Sequence, residues 1–192
     1  MATMMSIDEH QSRKARSQKL LLWFAMASMT MMFAAAVSAY IVSRPREDWK
    51  TNYEMPISFY LSSLIIVLCS LTIHLAKSYV KKNKRTESLI LLFLTLFLSL
   101  LFCFFQVKGY YSFVDQNLYL VNDISISFFC FIAGVHLLHI LGGIISLLII
   151  IYNHFKQKYN STQFLGIELG AMYWHFLDFL WICLFLFLYF FK

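Results

Sequence analysis

The chain is 192 residues long, 60% hydrophobic and 18% aromatic, with only 14% of its residues charged. That composition excludes an ordinary soluble domain of this size, and two prolines and six glycines argue against a loop-rich or all-β design. The net charge of +6 does not point to nucleic acid, because the basic residues gather at the ends of apolar runs, as membrane topology signals do.

The apolar runs are long and continuous, unlike the short alternating segments of a β-barrel, so the chain reads as an all-α, polytopic membrane protein with five transmembrane helices. Residues 1–16, with Asp8, Glu9, Arg13, Lys14 and Arg16, read as a short mobile cytoplasmic tail; residues 17–192 read as a single five-helix bundle. The first span is expected at about 20–42. Val37-Ser38-Ala39 resembles a signal-peptide cleavage site, but the run is longer than a signal-peptide core, so an uncut span is expected. A polar loop, Arg44 to Lys50, leads to a second span at about 56–79, with Pro56 suited to a first helical turn. The basic run Lys81-Lys82-Asn83-Lys84-Arg85 precedes a third span at about 88–107, and a loop is expected from Lys108 to Asn122. The fourth and fifth spans are expected at about 123–152 and 164–191.

Lysine and arginine are distributed unevenly between the two sides. Arg13, Lys14, Arg16, Lys19, Lys77, Lys81, Lys82, Lys84, Arg85, Lys156 and Lys158 fall on one side, against Arg44, Arg46, Lys50, Lys108 and Lys192 on the other. This bias predicts a cytoplasmic N-terminus and a periplasmic C-terminus. Trp49, Tyr53, Tyr110, Tyr111 and Tyr119 then lie near the outer interface. No repeat of 20–50 residues supports a repeat-built transporter. Cys69, Cys103, Cys130 and Cys183 all fall in apolar runs with no CxxC pair, and read as small packing residues, not disulfide or zinc partners. Met26, Met29, Met31 and Met32 read as core packing in the first span.

Polar residues inside the spans carry the functional information. In the fourth span His136, His139, Gly143 and Ser146 share one helix stripe, flanked by Gly134 and Gly142. In the fifth, Glu168, Ala171, His175, Asp178 and Ile182 form another, with Gly166 and Gly170 as a small-xxx-small pair that lets a second helix approach. The two stripes are natural partners. One reading is a metal or haem site, or a stand-alone membrane metalloenzyme, using His136, His139 and His175 with Glu168 or Asp178. A second is a proton relay, as in a small proton-coupled transporter. A third, favoured on physics alone, is a polar seam satisfied between helices or by lipid headgroups. His74 reads as interfacial, Ser70 and Thr72 as bonded to their own helix backbone, and Gln106 as a cap or interfacial contact. His10 and His154 read as lying outside the core, with nothing marking them.

Glu168 with Met172-Tyr173-Trp174-His175-Phe176-Leu177-Asp178 resembles the Glu…Tyr-Trp-His-Phe-Val-Asp signature of subunit III of the haem-copper oxidases, which act on cytochrome c or quinol. Gly134-Val135-His136-Leu137-Leu138-His139 is similar to that family's Gly-Phe-His-Gly-Leu-His, and Gln106 fits the Gln that ends its third span. The resemblance spans most of the chain. It implies the short five-helix bacterial form, in an inner membrane, as a subunit of an oxidase complex that reduces dioxygen and pumps protons. It implies no catalytic residue, cofactor or metal in this chain, with haems and copper in subunits I and II. It also implies packing against subunit I, bound phospholipid, support of proton uptake, and scope for a larger respiratory supercomplex. His136, His139, Glu168, Trp174, His175 and Asp178 become structural and lipid-associated groups, and Gly134, Gly142, Gly143, Gly166 and Gly170 helix-packing positions. The chain departs from the pattern at Met29, where the family often has a buried acid, and at Gly109-Tyr110, where a Glu-Tyr pair is common.

Overall fold

The computed structural model describes residues 2–46, 49, 53–116, 118, 123–159 and 164–191. Glu47, Asp48, Lys50, Tyr119, Asn122 and Lys192, invoked above in loops, topology or interface, lie outside the described residues, as do the side chains of Asp8 and His10. Five helices follow in chain order: α1 Ala2–Ser43, α2 Ile57–Lys81, α3 Arg85–Asp115, α4 Ile124–Phe155 and α5 Leu165–Phe190. Each is long and apolar enough to cross a membrane. Helices satisfy their backbone groups internally, which a lipid-embedded chain must do.

Helices α2, α3, α4 and α5 form a ring in which each touches the next, and α1 lies outside it against α4 and α5. The up-down connectivity puts Lys19, the Lys81–Arg85 turn, Lys156 and Lys158 at one end, called here the basic end. Tyr40, Trp49 and Tyr53 lie at the other, the aromatic end, where Tyr40 packs edge-on to Trp49 at 4.8 Å and Phe113 to Phe129 at 5.2 Å.

Both helices that finish at the basic end stop in the same way. Asn83 and Gln157 take a left-handed φ of 58°. The N–H of Lys84 donates to Tyr79 O and that of Asn83 to Val80 O, while Lys158 donates to Asn153 O and Gln157 to His154 O. These paired bonds form a Schellman motif, which satisfies carbonyls left open at a helix end.

Two element boundaries differ from expectation. The polar segment at residues 2–16 is helical, continuing α1 toward the N-terminus. Extending an existing helix avoids the nucleation cost, and Arg13 pairs with Glu9 one turn away at 2.6 Å. At the other boundary α3 continues through Lys108 and Gly109 to Asp115, across most of the expected loop. Gly109 does not break it, because it sits under Phe59: a Cβ there would come within 2.7 Å of the Phe59 ring. The methionines of α1 also divide. Met26 is buried, but Met31 and Met32 are exposed on the outer face of α1.

Candidate functional site: polar groups within the bundle

The α5 stripe faces α2, not α4. His175 Nδ1 lies 2.6 Å from Ser70 Oγ, and its ring centroid is 5.8 Å from that of His74. Ser70 therefore serves a neighbouring helix and not its own backbone as expected. The same hydroxyl also faces the Asp178 carboxyl, short of hydrogen-bond geometry, and neither Asp178 oxygen has a hydrogen-bond partner among the described residues although the residue is 3% exposed. One turn further, Trp181 Nε1 donates to Ser63 Oγ at 3.0 Å. Thr72 does bond its own helix, at Cys69 O, and also meets Thr95 Oγ1 at 2.9 Å. Glu168, at the start of α5, turns instead to α1 and pairs with Lys19 at 2.9 Å.

The α4 stripe meets α5 through aromatic rings. His136 is fully buried, with its ring 5.1 Å from Trp181 and 6.2 Å from both Phe33 and Phe102, and neither ring nitrogen has a hydrogen-bond partner among the described residues. His139 Nδ1 lies 2.8 Å from Val135 O of its own helix, and its carbonyl accepts a bond from Tyr173 Oη at 3.2 Å. Ser146 Oγ donates back to Gly143 O at 2.7 Å. Trp174 closes over Gly143, where a Cβ would sit 3.2 Å from the indole. Gly170 lies against Ile150 and Gly166 against Tyr159, so a Cβ at either would collide. Gly142 is in ordinary contact with Tyr173, whereas a Cβ at Gly134 would meet nothing within 4 Å among the described residues. Gly134 instead forms part of the wall of a groove of about 280 Å³ whose lining includes Phe59, Gln106, Tyr110 and Phe129.

The two stripes thus belong to adjacent helices but address different neighbours. His136 and His139 sit on α4, and His175 looks into the α2 contact, so the three imidazoles of the metalloenzyme reading do not converge. Among the described residues no three His, Cys, Asp or Glu side chains form a group able to hold a metal ion.

Several polar contacts escaped the sequence reading. His154, read as outside the core, is buried, with Nε2 3.3 Å from Arg85 O. Arg85 returns two bonds through Nη2, to His154 O at 2.7 Å and Phe155 O at 2.8 Å. This clasp ties the start of α3 to the end of α4. A cation beside exposed C-terminal carbonyls is a helix-dipole pairing, and the only sequence signal was Arg85 and His154 at corresponding ends of two antiparallel spans. Gln106, expected as a cap or an interfacial contact, is buried mid-helix and donates through Nε2 to Ser62 Oγ at 3.1 Å. Its carboxamide faces α2 because α3 runs on past it.

These features define a multi-pass α-helical membrane protein whose internal polar groups join helices and assemble no metal or catalytic cluster among the described residues. The sequence pattern of the family described as cytochrome c oxidase subunit III matches residues 21–192, and the chain belongs to that family. It is 33% identical over 180 residues to the cytochrome bo(3) ubiquinol oxidase subunit 3 of Buchnera aphidicola subsp. Schizaphis graminum, covering 91% of this chain and 94% of that one. It is 23% identical over 181 residues to cytochrome c oxidase subunit 3 of Alkalihalophilus pseudofirmus, covering 92% and 88%. It is 33% identical over 137 residues to cytochrome c oxidase subunit 3 of Chondrus crispus, covering 71% of this chain and 48% of that longer one. Membership makes the chain a component of a respiratory oxidase complex with other oxidase subunits, in a family that does not in general carry redox centres.

Proposed function

We propose that this chain is a non-catalytic integral subunit of a terminal haem-copper oxidase in a bacterial inner membrane, with its N-terminus cytoplasmic. It supports assembly with subunit I, alongside subunit II, retains phospholipid and sustains proton uptake, while haems and copper reside in those partners. The observation that carries this reading is the family match over residues 21–192. The geometry supports it in two ways. Apolar side chains are exposed along every helix, including Trp23, Phe24, Leu64, Phe97, Leu138 and Phe179, which suits a chain covered by lipid and other helices. At the basic end Lys14, Lys19, Lys158, Tyr159 and Glu168 line a pocket of about 520 Å³, and lysines at a membrane face suit an anionic headgroup. The basic end then faces the cytoplasm, in keeping with the lysine and arginine bias.

Purification in mild detergent through a tag on this chain tests the reading. The expected outcome is co-purification of a large haem-bearing polypeptide, with the haem spectrum staying with that polypeptide and absent from this chain once the two are separated. A haem spectrum retained by the isolated chain, or the chain alone with no haem-bearing partner, would sink it.

A further inference from the structure

The α2/α5 contact is polar in one half and sealed by rings in the other. From the basic end inward, α2 presents Lys77, His74 and Ser70 at helical spacings of three and four, and α5 answers with His175 and Asp178. His74 is exposed at the surface. Its ring stands 5.8 Å from that of His175, close enough for proton transfer over one intervening water. His175 Nδ1 is 2.6 Å from Ser70 Oγ. Ser70 faces Asp178, whose two oxygens are buried without a hydrogen-bond partner among the described residues. Ser70 lies about 16 Å of helix rise inside the end of α2 at Lys81, so the series of groups reaches well into the membrane.

Beyond Asp178, toward the aromatic end, the contact closes. Trp181 Nε1 is spent on Ser63. Trp181, Phe185 and Tyr189 stack in sequence at 6.3 and 6.4 Å, and Tyr60 packs edge-on to Phe185 at 5.4 Å. An acid reachable from one side only differs from a leak. It exchanges its proton with that side and cannot pass it across.

We propose that the α2/α5 seam is a one-sided proton-exchange path that loads and unloads the Asp178 carboxyl from the basic end. In loading, a proton arriving by way of His74 binds His175 Nε2, and His175 releases its Nδ1 proton to Ser70 Oγ. As it does so Ser70, brought within hydrogen-bond reach of Asp178 by a small side-chain movement, gives its own hydroxyl proton to the Asp178 carboxylate. Unloading is the reverse: Ser70 returns a proton to His175 Nδ1 and Nε2 gives its own back toward His74, which restores the starting tautomer. No proton is created or stranded. Among the described residues, these charged and titratable groups bear on the path. From α2 they are Lys77 and His74 on His175, and Cys69 on Asp178, with Cys103 of α3 next to Cys69. On the α1 side Lys19 is engaged by Glu168, two turns nearer the basic end. The path uses only groups of this chain and does not depend on the oxidase reading.

Hydrogen–deuterium exchange of the carboxyl O–H, followed by infrared difference spectroscopy on the chain in its native membrane complex, tests this. Asp178→Asn identifies the band. Ser70→Ala, which leaves every ring in place, and His175→Phe are each expected to slow exchange about 100-fold, and Ser70→Thr to restore it. If His175→Phe does not assemble, Ser70→Ala and its threonine rescue decide the question alone. In sealed vesicles the band is expected to follow the pH on the side of the basic end. Exchange equally fast in Ser70→Ala, a band that follows the opposite side, or no exchangeable carboxyl lost with Asp178→Asn would each overturn the proposal.

Discussion

At the scale of single residues, two glycines in α4 make opposite predictions from the same chemistry. Gly143 lies under Trp174, with only 3.2 Å available to a Cβ, whereas Gly134 faces open space. Gly143→Val is expected to cost about 1–3 kcal/mol through overpacking. Gly134→Ala is expected to gain about 0.5–1 kcal/mol through backbone entropy. Thermal midpoints of the detergent-solubilised complex check both, and a midpoint raised by Gly143→Val would refute the packing argument. Tyr53 makes a pH prediction at the aromatic end, outside the spans. Burial, reinforced by Tyr40, raises its phenol above the ordinary 10.0. A phenol raised in the folded state contributes stability that is complete below its ordinary value and is lost as the pH climbs beyond it. Stability should therefore decline from about pH 10 upward, and Tyr53→Phe should flatten that decline. An unchanged alkaline profile in the variant would exclude Tyr53 as its source.

At the scale of helices, α1 stands apart. Among the described helices it packs against α4 and α5 alone, and its anchors are Met26, Phe33 and Tyr40, all buried, with Tyr40 Oη donating to Phe191 O at 3.3 Å. The Lys19–Glu168 pair is solvent-accessible on both partners, 38% and 25% exposed, and exposed pairs contribute about 0–1 kcal/mol. Phe33→Ala should thus loosen α1 measurably while Glu168→Gln should not. Limited proteolysis of the N-terminal segment in vesicles reads this out, and greater protease sensitivity in Glu168→Gln than in Phe33→Ala would reverse the assignment. The α3/α4 clasp gives a second test. Arg85→Ala strips two bonds to helix-terminal carbonyls, and bonds to a charged group are worth about 1.5–3 kcal/mol each when well shielded. The partial exposure here places the expected loss at the low end. Arg85→Lys, a point charge without the planar fork, should recover only part of it. Full recovery by lysine would mean that charge alone holds the ends together.

At the scale of the whole molecule, the number of spans and their order were legible in the sequence because a bilayer demands runs of about 20 apolar residues, and nothing in the tertiary structure alters that demand. The ends were less legible. Gly109 and Lys108 look like a loop in isolation, yet Phe59 of α2 fills the space beside Gly109 and the helix runs on. The stripes on α4 and α5 were likewise readable as stripes, since a helix face is set by spacing alone. Their partners were not. A period of 3.6 residues says which side chains share a face, but the direction of that face depends on where the other helices stand. The placement of α2 against α5 joins His175 to Ser70 and brings His74 beside them, and the placement of α1 outside the ring sends Glu168 to Lys19. The sequence by itself determined an all-helical membrane chain, its five spans, its polar stripes and, through the Tyr173-Trp174-His175…Asp178 pattern, its family. Only the tertiary structure decided that His175 and Asp178 meet α2 while His136 is enclosed by rings from α1, α3 and α5. The physical reason is that spacing along one helix is local, whereas the partner of a buried polar group is chosen by packing among all five.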